Sequence, residues 1–384
     1  MTHSGAAPKA EPVPHTHLMK YETFVMERTQ SIWEHKVDIN LSESGVTPLT
    51  LGELLEGRDI LDTRLSYPPT KGTPELRECI ADLYAGADPE NVVVTTGTAE
   101  ANYITILSLL EPGDEAVVMM PNYMQVIGLA RSIGATVKPL NLCEENSWAP
   151  DPDELRKLVT GKTKLIALCN PNNPTGAVMN EESMRAVAKI AGDVGAWILA
   201  DEVYLGAELQ GDISPTFYGW YDRLVVNSGL SKAYGLPGLR IGWMVSDPEA
   251  IAKLWSYKDY ITISQTTLSD KLAAIALEPG RRHRILERTR KILNDQFGIL
   301  SAFVARHSPH LSWVPPKAGA IAFIRYDWPT NSTTLFERIR DEKNVLVVPG
   351  DHFERDSYMR IGYGYDKKKL EVGLSRVSDF LNAQ

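Results

Sequence analysis

The feature that most constrains this chain is an alternation. Between residues 91 and 246, short β-rich apolar runs take turns with helical patterns. The runs occupy residues 92–94, 116–119, 165–168, 197–200, 224–226 and 241–245, and the helix-like segments occupy residues 100–110, 125–133 and 181–194. Continuously apolar strands need a sheet covered on both faces, and strand–helix alternation is how a chain builds a mostly parallel one. The expected fold class is therefore α/β, with ligands gathered at the carboxyl ends of the strands.

After about residue 278 the texture changes. A charged helix over 281–303 leads to β runs at 313–314, 320–325 and 346–348 and a closing helix over 368–381. This reads as a second, α+β domain. A strand at 37–41, which has no partner in the alternating block, is expected to join it. The expected division is a flexible arm and start of the small domain over 1–36, a large domain over 55–277, and a small domain from 37–54 with 278–384.

Bulk properties exclude several classes. The chain has 384 residues, 43% of them hydrophobic, enough to bury more than one small core. A net charge of −9 argues against broad nucleic-acid binding. No apolar run approaches a membrane span. Cys79, Cys143 and Cys169 are widely spaced and read as inert thiols, which suits a reducing cytoplasm. The N-terminus has no apolar signal core, and its His15 and His17 read as part of a Pro-rich mobile arm, so no metal site is expected.

Four segments carry chemistry, and each ends or follows a strand. At Thr95-Thr96-Gly97-Thr98-Ala99-Glu100-Ala101 a strand gives way to a helix through a glycine, and free backbone N–H groups there suit a phosphate. Asn170-Pro171-Asn172-Asn173-Pro174-Thr175-Gly176 makes a rigid turn with side-chain amides. Asp201-Glu202-Val203-Tyr204 puts an acid at a strand's carboxyl end; a helix N-cap is the alternative reading. In Ser231-Lys232, a lysine follows a strand, and Arg240 and Gly242 come after it; a lysine in a crowded site can lose its proton and act as a nucleophile.

Taken together and in this order, the four segments resemble the class I/II aminotransferases, fold-type-I enzymes that use pyridoxal 5'-phosphate (PLP). The resemblance runs from about residue 40 to the C-terminus. It implies a large domain with a mostly parallel seven-stranded sheet, a smaller α+β domain, an amino-acid substrate and a homodimer with shared active sites. Lys232 would bind the cofactor as a Schiff base and shuttle the α-proton. Asp201 would pair with the pyridine nitrogen. Tyr123 would stack on the ring, and Asn173 and Tyr204 would bond its phenolic oxygen. Thr98, Ala99, Ser231 and Arg240 would hold the phosphate, with Tyr67 reaching it from the neighbouring subunit and Thr262 and Ser264 approaching from the same side. Arg360 would grip the substrate carboxylate, and the stretch around Ser44 and Gly45 would close over the substrate. One departure stands out: Gly229 lies where many relatives carry a phosphate-binding serine or threonine.

The resemblance leaves the reaction open, with amino transfer as the leading expectation. Segments 41–46, 258–264 and 345–350 are similar to those of the capreomycidine-synthase family, PLP cyclases that eliminate and close a ring. The run 235–238 is similar to that of enzymes performing γ-chemistry on S-adenosylmethionine. Elimination, replacement or cyclisation is thus the alternative, and a non-catalytic PLP sensor a third. Sensors carry a DNA-binding domain ahead of the fold, for which the N-terminal arm leaves no room. For the distal end of the substrate, Glu43 would favour a cationic or hydroxyl-bearing group and Lys71, from the partner, an acidic one.

Overall fold

The computed structural model of the protein describes residues 20–383; His15, His17 and the first part of the expected arm lie outside the described residues. Seven strands form the main sheet. Their order is Val92–Thr95, Gly242–Val245, Leu224–Gly229, Trp197–Asp201, Thr163–Cys169, Glu115–Met120 and Thr136–Asn141. Neighbours run parallel except at Gly242–Val245, which is antiparallel to both strands beside it. The fold is the α/β one that the alternation requires. Six of the strands grow from the six apolar runs. The seventh, Thr136–Asn141, is an edge strand with only Leu140 buried. Its polar residues blunt an open edge and also hide it from a search for apolar runs.

Period-two patterning splits the core in two. Val117 and Met119 face one hydrophobic cluster, while Ala116 and Val118 face another, beneath Gln125–Ile133. This is what a strand covered on both faces must do.

A second sheet is antiparallel, in the order Val348–Pro349, Tyr358–Gly362, Ile321–Tyr326 and Leu311–Trp313. Helices Pro279–Arg306 and Ser332–Lys343 pack on it, and Lys367–Leu381 packs on those helices and on the short strands Ile39–Asn40 and Val345–Leu346. Ile39–Asn40 pairs in parallel with Val345–Leu346. The run at 346–348 is therefore two short strands serving two different sheets. The helix Thr267–Leu277 had no counterpart in the sequence pattern.

Part of the expected N-terminal arm is a helix, Val25–Trp33. Its N-cap is Phe24, which supplies no capping oxygen, and Met26 is its one buried residue. It docks through Met26 and Trp33 against the core and through polar contacts. Gln30 donates to the carbonyl and hydroxyl of Ser42 (3.1 and 2.9 Å), and Glu27 accepts from Tyr123.

Candidate active site

One cavity of about 490 Å³ opens at the carboxyl ends of the strands. Its floor is an anion cradle. The helix Thr98–Leu109 starts directly after Gly97, whose φ of +80° and missing side chain leave the helix uncapped. The N–H groups of Thr98 and Ala99 have no partner within the helix and point to its positive end. The Arg240 guanidinium closes on this turn so tightly that a Cβ at Gly97 would lie 2.5 Å from Nη2. Arg240 bonds to Ser231 Oγ (3.5 Å) and to the Pro237 carbonyl (3.3 Å), so its charge is not spent on a carboxylate.

The departure at Gly229 has a steric cause. A Cβ there would meet Thr98 Oγ1 at 2.6 Å and the Ile241 carbonyl at 2.8 Å. Thr98 donates to the Ser228 carbonyl at 3.1 Å, which draws helix and strand together. Ser228 does not stand in for a phosphate ligand, because its hydroxyl turns to the Glu202 carbonyl.

Above the cradle, Lys232 Nζ donates to Ser44 Oγ at 2.8 Å. Burial lowers the amine's pKa, against the raising effect of Glu43 and Glu27; Arg360 and Arg240 lower it further. Asp201 is buried and accepts from Asn102 Nδ2 (3.1 Å) and the Val203 N–H (3.2 Å). Burial raises its pKa, while these two bonds and the charge of Lys232 pull the other way. Asn102 is in turn held by Asn227, which faces Asp201 across the sheet and donates to Asn102 Oδ1 at 2.9 Å. Tyr123 completes this level. Its hydroxyl donates to Glu27 (3.0 Å), and Phe24 packs edge-on at 5.1 Å.

Arg360 comes from the second sheet, on Tyr358–Gly362, and is 1% exposed. Nη1 donates to Asn173 Oδ1 at 3.0 Å and Nη2 to the Ser42 carbonyl at 2.7 Å. Its Nε is buried without a partner, as is the Tyr204 hydroxyl, beside which Ser44 sits. Unmade hydrogen bonds in a buried cavity are costly, and a ligand that supplies acceptors removes that cost.

The cavity thus brings together Thr98, Ala99, Tyr123, Asn173, Asp201, Tyr204, Ser231, Lys232, Arg240 and Arg360. Gly45 does not line it but backs it: a Cβ there would lie 3.3 Å from the Ser231 carbonyl and 3.9 Å from Lys232 Cδ. Tyr67 stands apart, 87% exposed. Lys71 is occupied by Glu90 (3.1 Å) and the face of Trp255. Thr262 is held within its own chain by Glu100 and Lys258. The sequence reading missed Asn102 and Asn227, and with them Glu27, Gln30 and Glu34 of the N-terminal helix. Asn102 had one signal, its place one turn into the helix that starts at the cradle.

This donor set fits pyridoxal phosphate. Arg240 and the uncapped helix end match a phosphate, the buried Asp201, which no cation bonds, a protonated ring nitrogen, and the orphaned Tyr204 hydroxyl a ring oxygen. Fold and site together define a pyridoxal-phosphate-dependent enzyme. The sequence profile of aminotransferase class I and II matches residues 49–377. Capreomycidine synthase from Streptomyces vinaceus is 33% identical, over 98% of this chain and 96% of its own. A PLP-dependent aminotransferase from Streptococcus suis 89-1591 superposes with a TM-score of 0.89 at 34% identity, covering 95% of this chain and 98% of the other. The PLP-dependent cyclase OrfR superposes with a TM-score of 0.84 at 26% identity, covering 99% and 100%. The chain belongs to the class I and II aminotransferase family, and its cofactor is pyridoxal phosphate.

Proposed function

We propose that the enzyme transfers the amino group of an α-amino acid with a cationic side chain. The observation that carries this reading is the convergence of Lys232 Nζ, Asp201 and Arg360 on one cavity that also bears three further carboxylates. When bound, the cofactor supplies a ring that draws negative charge away from the substrate α-carbon. Lys232 holds the cofactor and then moves the α-proton, a task its burial-lowered pKa suits. Asp201 keeps the ring nitrogen protonated, and the Asn227–Asn102 amides keep Asp201 oriented. Arg360 takes the α-carboxylate as a fork, with its orphaned Nε as one prong.

The distal end follows from charge. The cavity's cations, Lys232, Arg240 and Arg360, have tasks at the reacting end. Glu27, Glu34 and Glu43 remain, half-buried in its lining, with Gln30 and Ser31 beside them in the chain. Lys71, which would favour an acidic group, is spent on Glu90.

A second reading is cyclisation after elimination. It is favoured by the near-full-length similarity to capreomycidine synthase and the superposition on a PLP-dependent cyclase. Mass spectrometry separates the two. The purified enzyme is given a panel of cationic, neutral and acidic amino acids, some β-hydroxylated, with and without a keto acid. Amino transfer needs the keto acid and yields a new amino acid from it. Cyclisation proceeds without an acceptor and loses water. Turnover of acidic amino acids alone would defeat the cationic assignment.

The active unit proposed is a cytoplasmic homodimer. Leu61, Leu65, Tyr67, Tyr260, Ile263 and Leu268 are exposed on two segments, 61–67 and 260–268, that the Thr267 hydroxyl joins by donating to the Ser66 carbonyl. Such exposed apolar residues support an association surface. In it, Tyr67 would reach the partner's phosphate. Residues 37–54 with 278–384 would act as the small domain against 55–277, a division supported by the pairing of Ile39–Asn40 with Val345–Leu346.

A further inference from the structure

Behind the anion cradle lies a buried charge pair that the reaction does not use. Lys258, the last residue of helix Pro248–Lys258, is 0% exposed. Its Nζ donates to Thr262 Oγ1 at 2.9 Å and stands 4.0 Å from Glu100 Oε2. Glu100 is 7% exposed. It accepts the Thr262 hydroxyl at 2.6 Å and the backbone N–H of Thr96. It also sits in the first turn of Thr98–Leu109, the helix whose Thr98 and Ala99 N–H groups form the cradle.

Two costs need explaining. Burying a lysine ammonium is expensive, and an apolar side chain would fill the same space without that penalty. A carboxylate in a first helical turn favours the helix, but it also occupies the positive end that a phosphate dianion needs. Each cost answers the other. We propose that Lys258 is a positioning residue for the cofactor's phosphate: it offsets the charge of Glu100, so that Glu100 can hold the Thr96 turn without repelling the phosphate. Thr262, bonded to both, keeps the ammonium aimed at the carboxylate. The inference rests on the cofactor assignment.

The test is a binding titration of the apoenzyme with pyridoxal phosphate and, separately, with pyridoxal, which has the ring and aldehyde but no phosphate. Lys258→Met should weaken pyridoxal phosphate binding about tenfold, the order expected for one uncompensated charge near a screened site. Pyridoxal binding should not change. Lys258→Met combined with Glu100→Gln should recover wild-type affinity to within about threefold, because the offending charge is gone and glutamine still accepts from Thr96. A double variant as weak as Lys258→Met, or equal weakening toward both ligands, would mean that Lys258 only packs, and would overturn the proposal. Where Lys258→Met fails to fold, Glu100→Gln alone decides: it should bind pyridoxal phosphate at least as tightly as wild type, and weaker binding contradicts the proposal. Failure of the wild-type apoenzyme to bind either compound would instead strike the cofactor assignment.

Discussion

Asp201 carries its charge where water cannot help it. Its partners among the described residues are an amide and a backbone N–H, with no cation bonded to it. A buried carboxylate so placed suits the ring N–H⁺ proposed for it. Asp201→Asn keeps the shape and removes the charge, so kcat should fall about 10³-fold, or about 4 kcal/mol of transition-state stabilisation, with the cofactor still bound. Steady-state rates near wild type would remove the role. Arg360 makes a separate prediction. Arg360→Ala should raise KM by about 100-fold while the visible absorbance of the bound cofactor stays put, since the arginine is proposed to meet substrate and not ring. A shifted spectrum with unchanged KM would reverse that assignment. Asp201 was legible because it ends a strand, and the turn after a strand has a short sequence signature; Arg360 lies inside Tyr358–Gly362 and was read through the family resemblance. Asn102 and Asn227 were not legible. Their role is a contact between residues 125 apart in the chain, and nothing local in the sequence encodes it.

At the scale of elements, the N-terminal helix Val25–Trp33 is the clearest difference from the sequence pattern. A helix that docks by an apolar stripe announces itself by period. This one also docks by Gln30 on Ser42 and Glu27 on Tyr123, and Glu34, at its C-cap, lines the cavity. Its polar residues line the cavity, and that is why its pattern read as an arm. The element makes its own prediction. Replacing Glu34 and Glu43 by lysine should shift substrate preference from cationic toward acidic amino acids, by about tenfold or more in the ratio of kcat/KM values, as expected for reversed charges in a partly desolvated cleft. An unchanged ratio, read from paired substrates in one competition assay, would show that neither carboxylate reads the side chain. The edge strand Thr136–Asn141 escaped notice for a related reason: its exposed residues serve the surface rather than the core.

At the scale of the molecule, the α/β architecture was legible because a two-faced sheet forces apolar runs on every inner strand. The smaller sheets were harder: Ile39–Asn40 finds Val345–Leu346 across most of the chain, and the four-stranded sheet includes strands of only two and three residues. Assembly makes a prediction here too. Lys232→Ala lacks the amine, and Tyr67→Phe lacks the hydroxyl proposed to cross the interface. If Tyr67→Phe is severely impaired, mixing the two should restore activity through hybrid dimers, each with one intact site. No recovery after subunit exchange, or full activity in a monomer by light scattering, would argue that each site is self-contained. The account as a whole turns on one amine. Borohydride reduction of the holoenzyme, followed by peptide mapping, should place the reduced pyridoxyl group on Lys232 alone. A label on another lysine, such as Lys258, would contradict the reading of the site from its cradle upward.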